Sequence, residues 1–351
     1  MMSTADAPID AHLIGTVPAA GSLAPLPGAR LSARTDEGLE IHDRDAFLSG
    51  TRSPTQSLPL PPHAKATPLP DGGLVVAEGT GIRALDPDGT TRWKVSHAPW
   101  HGGRWDPRPP GAPAVSPDGG LVSVVVPTLA TEDTPAVLVH DDPPKHGYAR
   151  DTLLLLDAAS GTVLARRPIG AVASDITQRW HPDSSMLALS CWTAWYSWST
   201  WWIEPRHDGL HIRGGTMMRE VIDFLPGTSR ALTLRRAEGI AFNDDRDELA
   251  SHDVTTDEQV GLFDLAEVAL DPDNDEFTGA FLLDAAHLVV TGQVYFPGRP
   301  AAVRHWLWDA VTLHPLGRLR YPVPVGGDVT PLGDGTWLTR DGGRLHHWAL
   351  P

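Results

Sequence analysis

A pattern of apolar strand, Gly/Asp/Pro turn and second apolar strand recurs seven times along the 351 residues. The turns are Pro27-Gly28, Pro70-Asp71-Gly72-Gly73, Pro117-Asp118-Gly119-Gly120, Pro182-Asp183-Ser184-Ser185, Pro226-Gly227-Thr228-Ser229, Asp284-Ala285-Ala286-His287 and Gly333-Asp334-Gly335-Thr336. Pro27 and Pro70 stand 43 residues apart, and Pro182 and Pro226 stand 44 apart. Repetition at such a period marks an array of supersecondary units that bury their faces against one another. A second pattern follows in register. A period-2 strand ends in Asp in Leu39-Glu40-Ile41-His42-Asp43, Ile82-Arg83-Ala84-Leu85-Asp86, Leu153-Leu154-Leu155-Leu156-Asp157 and His305-Trp306-Leu307-Trp308-Asp309. An Asp in that place can accept hydrogen bonds from N–H groups of its own turn.

Each unit reads as three or four short antiparallel strands. One such unit cannot bury both faces of its sheet, whereas seven arranged radially can. The expected fold is therefore an all-β seven-bladed β-propeller, with 1–351 as a single domain. The 34 Gly and 33 Pro also disfavour a helix bundle. The last unit supplies only three strands, at 328–332, 337–340 and 345–350, while residues 12–17 form an orphan strand ahead of the first full unit. Residues 12–17 are expected to close the last blade as its outer strand, which removes two open edges at once.

Ser116-Pro117-Asp118-Gly119-Gly120 and Trp308-Asp309 resemble the turn and the Trp-Asp dipeptide of WD-repeat propellers. Asp86-Pro87-Asp88-Gly89-Thr90-Thr91-Arg92-Trp93 and Leu156-Asp157-Ala158-Ala159-Ser160-Gly161-Thr162-Val163-Leu164 resemble quinoprotein-type blades. The resemblance spans nearly the whole chain and implies the propeller architecture. The Gly-His dipeptide of WD repeats is absent, so the resemblance extends to the superfamily and to no particular family.

The 28 Lys and Arg against 44 Asp and Glu give a net charge of −16. That excess argues against nucleic acid, whose phosphates require Lys and Arg, and against docking to an anionic membrane. A single Cys rules out a disulfide framework and cysteine-based metal centres. No secretory leader and no run of 18 apolar residues is visible, so a cytoplasmic protein is expected. The Ala, Arg, Asp, Gly and Pro usage would suit a high-GC bacterium.

Departures from the repeat place the additions. Pro117 to Pro182 exceeds the period by 22 residues, with an insertion at 127–150. Pro226 to Asp284 exceeds it by 15, with an insertion at 244–277. Residues 241–276 carry thirteen acids against Arg246 alone, a net of −12. Such a run suits a solvated loop, a dock for a basic partner, or a calcium loop. Asp271, Asp273 and Asp275 alternate as calcium ligands do. However, Glu276 stands where the loop needs Gly, and Leu282 stands where it needs Glu.

Five of the thirteen Trp fall within 192–202. Their flanks read as the second and third strands of blade four, with a hairpin tip near Ser197-Trp198-Ser199. In a propeller, loops between second and third strands and loops between blades share a face. That face would pool Trp100, Trp105, Trp195 and Trp198 with His97, His101, His140 and His146, and with Asp106, Asp141 and Asp142. The grouping reads either as an aromatic, His/Asp-rimmed pocket over blades two to four, or as the packing that long loops need. A metal is disfavoured: His97 and His101 are spaced i, i+4, but Pro99 breaks a helix there, and His346 and His347 point to opposite strand faces. No Gly-x-Ser-x-Gly, His-Glu-x-x-His or Walker loop occurs. Cys191, with apolar neighbours and no adjacent base, reads as an inert thiol. The expected function is a non-enzymatic protein-interaction or scaffold module without cofactor, engaging a protein or peptide partner, a basic one where the acids steer it. The alternative is a small-molecule binder or an enzyme using the Trp/His/Asp face.

Overall fold

The computed structural model describes residues 7–26, 28–61, 64–98, 111–129, 148–169, 173–193, 197–235, 247–265, 268, 275–294 and 302–351. Two strands, β1 (Pro8–Asp10) and β2 (His12–Pro18), come first. Blade one is β3 (Ser22–Leu26), β4 (Arg30–Arg34), β5 (Gly38–Asp43) and β6 (Gln56–Pro59), with the short helix α1 (Arg44–Leu48) after β5. Blade two is β7 (Lys65–Pro68), β8 (Leu74–Ala77), β9 (Gly81–Leu85) and β10 (Thr91–Ser96). Blade three is β11 (Ala114–Val115), β12 (Leu121–Leu129), β13 (Tyr148–Asp157) and β14 (Val163–Pro168). Blade four is β15 (Ala173–Trp180), β16 (Leu187–Thr193), β17 (Ser197–Arg206) and β18 (Gly209–Met217). Blade five is β19 (Glu220–Phe224), β20 (Arg230–Arg235), β21 (Glu248–Asp253) and β22 (Glu258–Asp264). Blade six is β23 (Asp275–Leu282), β24 (His287–Val294), β25 (Ala302–Asp309) and β26 (Pro315–Arg320). Blade seven is β27 (Val329–Pro331), β28 (Trp337–Asp341) and β29 (Arg344–Ala349). Strand order within each sheet follows the chain, so this is a seven-bladed all-β propeller, with every expected turn between first and second strands.

Two compact units divide the chain, residues 1–57 with 222–351 and residues 58–221. The boundaries fall inside β6 and β19. The first unit carries blades one, five, six and seven. Its closing strand lies where the sequence places it: β2 pairs antiparallel with β29 from His12↔Ala349 to Pro18↔Arg344, as the outer strand of blade seven. The shorter β1 adds a fifth strand to blade six, parallel to β26 through Pro8↔Arg318 and Asp10↔Arg320. Gly317 makes room for it, since a Cβ there would lie 2.3 Å from the Ala7 carbonyl oxygen. Between blades six and seven, Ala11, Leu283, Val289, Leu307, Leu319, Trp337 and Trp348 form a buried core against which Ile9 and Leu13 pack. Trp306 and Trp308 belong to the core shared with blade five.

The second unit repeats this logic in blades two to four. All four β8 residues, Leu74-Val75-Val76-Ala77, are buried, as expected for a strand covered on both faces. The Trp93 indole N–H donates to the Ala158 carbonyl oxygen at 2.9 Å, linking blade two to the last turn of blade three. Gly161 lets that ring approach: a Cβ would stand 2.5 Å from Trp93 Cδ2. In blade four a buried chain runs from Val221 N–H to Ser190 Oγ at 2.8 Å, on to Thr200 Oγ1 at 2.6 Å, and from Thr200 to the Arg219 carbonyl oxygen at 2.6 Å.

The repeated Asp residues tie down their turns as anticipated. Asp71 accepts from Gly73 N–H, Asp118 from Gly120, Asp183 from Ser185 and Asp334 from Thr336. After third strands, Asp157 accepts from Ser160 N–H, and Asp309 from Val311 and Thr312. Asp43 instead caps α1 through Ala46 N–H, and Asp86 pairs with Arg92.

The acidic stretch differs from expectation. Residues 244–277 are not one inserted loop, because 248–253 and 258–264 are the third and fourth strands of blade five and 275–277 already belong to β23. An outer strand has one solvated face and tolerates charge, so acid density alone does not mark a loop there. Likewise 127–129 and 148–150 lie in the β12–β13 ladder, which continues to Leu129↔Tyr148. No helix among the described residues is long and apolar enough to cross a membrane.

Two outcomes follow. Deleting residues 1–20 removes both added strands and uncovers β29 and β26, so the melting temperature should fall by more than about 5 °C, read by calorimetry. The turn carboxylates respond to acid. Hydroxyl and N–H donors of Ser185 hold Asp183 down at about 2, and those of Thr255 hold Asp253 at about 2, both from 3.8. Their folded pKa lies below the unfolded one, so their contribution is complete above about pH 4 and is lost as pH falls toward 2. Asp253→Ala should lower the melting temperature at pH 7 and leave it nearly unchanged at pH 2.

Candidate functional site

Sequence reasoning gathers a site on blades two to four. His97 follows β10, half-buried, and its Nδ1–H donates to the Ala98 carbonyl oxygen at 2.6 Å. Burial pushes its pKa below the usual imidazole value, with backbone contacts to Ala98, Glu78 and Gly81 opposing. Trp198 lies in β17 and is buried, packed edge-on to Trp192 at 5.7 Å between ring centroids. The β16–β17 ladder reaches Thr193↔Ser197, so Ser197-Trp198-Ser199 is strand rather than the tip expected there. Cys191 is fully buried, as expected of an inert thiol. Trp100, His101, Trp105, Asp106, His140, Asp141, Asp142, His146 and Trp195 lie outside the described residues. Of the calcium candidates, Asp271 and Asp273 lie outside them too, and Asp275 opens β23. Among the described residues no group of three His, Cys, Asp or Glu is placed to hold a metal. His346 and His347 do face apart, one bonding Thr16 Oγ1 at 3.0 Å and the other Thr336 Oγ1 at 3.0 Å.

The described residues offer a different feature, in blade six. Pairing of β25 with β26 stops at Trp306↔Arg318, and beyond that point the two strands part. A cavity of about 410 Å³ opens there, lined by Val303, Arg304, His305, Arg318, Leu319, Arg320, Tyr321 and the segment 323–325. Strand alternation sorts these residues. Arg304 lies on the sheet face of Trp306, together with Arg318 and Arg320, whereas His305 shares the face of Leu307, with Leu319 and Tyr321. Arg320 makes an ion pair with Asp10, its register partner on β1, with an N–O distance of 2.7 Å from its terminal nitrogen.

His305 is the chemically distinctive group. It is 1% exposed, its Nδ1 shares a 2.8 Å hydrogen bond with the Tyr321 hydroxyl, and its Nε2 meets no partner at hydrogen-bonding geometry among the described residues. Tyr321 stacks edge-on against Trp348, 4.7 Å between centroids. Burial pushes the imidazole pKa down to about 4 and raises that of the Tyr321 phenol, so both are neutral at pH 7. Sequence reasoning passed over His305, although its strand held the signal: in Val303-Arg304-His305-Trp306-Leu307, period 2 puts a polar ring on a core-facing position.

No protein-family model matches the chain, and no curated protein matches its sequence. Solved structures match its fold. The WD40 domain of Neurospora crassa Pan2 is 11% identical, covering 100% of this chain and 97% of that one, with a TM-score of 0.53. BBS1N, solved in complex with ARL6DN, is 12% identical over 97% of each chain at a TM-score of 0.54. A prolyl endopeptidase is 12% identical at a TM-score of 0.58, over 92% of this chain and 46% of that one. Likeness at such identities is likeness of fold, and the fold is shared by a domain solved in complex with another protein and by an enzyme alike.

Substitution of His305 should alter the response to pH in a defined sense. The folded pKa of about 4 lies below the unfolded value of 6.5, so protonation favours the unfolded chain as pH falls through 6.5, until the loss saturates below 4. His305→Gln should remove that part of the decline in thermal melts between pH 7 and 4. At pH 7 it should cost about 1 kcal/mol through the altered bond to Tyr321.

Proposed function

We propose that this chain is a non-enzymatic interaction or scaffold module of the cytoplasm that engages a protein or peptide partner. The observation that supports this reading is coverage. The whole chain aligns with nearly the whole of the Pan2 WD40 domain and of BBS1N, and BBS1N was solved with ARL6DN bound. A propeller offers a partner its loops and outer strands, which a rigid scaffold holds in place. The acids of 241–276 add a negative field that would speed the approach of a basic partner.

One observation favours a second reading. The blade-six cavity has three arginines in its lining within a chain of net charge −16, which suits a small anionic ligand. Two measurements separate the readings. Capture on the immobilised full chain, followed by cross-linking and mass spectrometry, should recover a protein whose binding weakens as salt rises. Tryptophan fluorescence should then stay unchanged by a panel of small carboxylates and phosphates. Saturable quenching by one of those compounds, with no protein recovered, overturns the interaction reading.

A further inference from the structure

The outer strand of a blade presents one row of unpaired backbone N–H and C=O groups, and an exposed row of that kind invites another strand. In blade six the chain covers this row itself: β1 adds to β26, and Asp10 and Arg320 pair in charge as well as in register. In blade five no strand of the described residues covers the row, because β22 is the last strand of its sheet.

β22 has three features that suit an incoming strand. Its inner face is anchored, since Phe263 packs edge-on against Trp308 at 4.6 Å between centroids, and Gly261 fits against Leu313. It also shows two exposed apolar side chains: Leu262, 51% exposed, and Val260, 46% exposed, the latter at the point where the ladder with β21 shifts register between Gln259 and Gly261. Its charged residues are all acidic, with Glu258 and Asp264 at its ends and Asp257 in the turn before it. Outer strands are commonly shielded by Lys or Arg, and β10, β14 and β18 follow that habit with Lys94, with Arg166 and Arg167, and with Arg213. β22 carries no cation and no proline.

We propose that β22 is a docking edge for an extended basic segment of a protein partner, which adds to blade five as a fifth strand. The backbone row gives affinity, the exposed Leu262 and Val260 receive apolar side chains of the segment, and the acids select lysine or arginine near its ends. This identifies the partner's chemistry and one contact surface, and it rests on the interaction reading above.

The probe is a fluorescein-labelled octapeptide of alternating lysine and valine, with a glutamate–valine octapeptide as control, titrated against the full chain by fluorescence anisotropy. The lysine peptide should bind and the glutamate peptide should not, and hydrogen exchange at β22 amides should slow on binding. Leu262→Lys and Glu258→Lys, both at exposed positions, should each weaken binding about tenfold, the scale of an anchor residue. Leu316→Lys, on the covered strand β26, should leave it unchanged. Failure of the peptide to bind overturns the proposal. So does binding that responds to salt but is indifferent to Leu262→Lys, with β22 exchange unaltered, because charge alone then accounts for it. If a protein partner is still captured undiminished by the Leu262→Lys chain, the β22 site falls and the interaction reading stands. If neither peptide nor protein binds, both fall.

Discussion

Pairing of β2 with β29 is the constraint on which the last blade depends. Blade seven has only three strands of its own, and without residues 12–18 its outer face would expose Leu345 and Trp348, both now buried. The same N-terminal run then continues onto blade six through β1, so that Ala11, between the two strands, is buried in the core shared by blades six and seven. One segment of about ten residues thereby covers two sheet edges and seals the apolar seam between them. This arrangement makes the order of the cores a consequence of chain ends meeting rather than of any one local sequence.

The parts legible in the sequence are those with local causes. Each turn after a first strand is written in Gly, Asp and Pro, because positive φ and side-chain-to-backbone bonds are needed within a few residues; Gly72, Gly119 and Gly227 do adopt positive φ. Closure by residues 12–17 was legible because a strand count came out one short. β1 was not. Three residues, Pro8-Ile9-Asp10, carry no periodic signal, and their partner lies 310 positions away. Their one trace is Gly317, whose missing Cβ has no meaning until the strand beside it is seen.

Tryptophan shows how much of a composition bias packing absorbs. Of the four expected at the site only Trp198 is among the described residues, and it is buried, as are Trp93, Trp180, Trp202, Trp306, Trp308, Trp337 and Trp348. Radially packed sheets leave wedge-shaped seams that widen outward, and a large flat ring fills such a seam well. Alternation held the answer for Trp306 and Trp308, two apart on the strand that ends in Asp309. For the 192–202 run it did not, because rings on both faces of a hairpin read alike whether covered or open. The members of the expected site at 99–110 and 130–147 fall where the sequence departs from the repeat, and they lie outside the described residues.

The acids divide by the same test of local cause. Many are consumed by the fold: Asp71, Asp118, Asp157, Asp183, Asp253, Asp309 and Asp334 each hold a turn through their own backbone, and Glu248 faces Arg235 at 3.8 Å. A repeat that needs one or two such Asp per blade makes any chain of this kind acidic, so a net charge of −16 is weak evidence for a partner. Among the described residues Glu258 makes no turn bond; it sits exposed at the start of a strand that no described strand covers, near Val260 and Leu262. Charge that the fold does not use, beside apolar surface the fold does not bury, distinguishes the blade-five edge from the acids elsewhere.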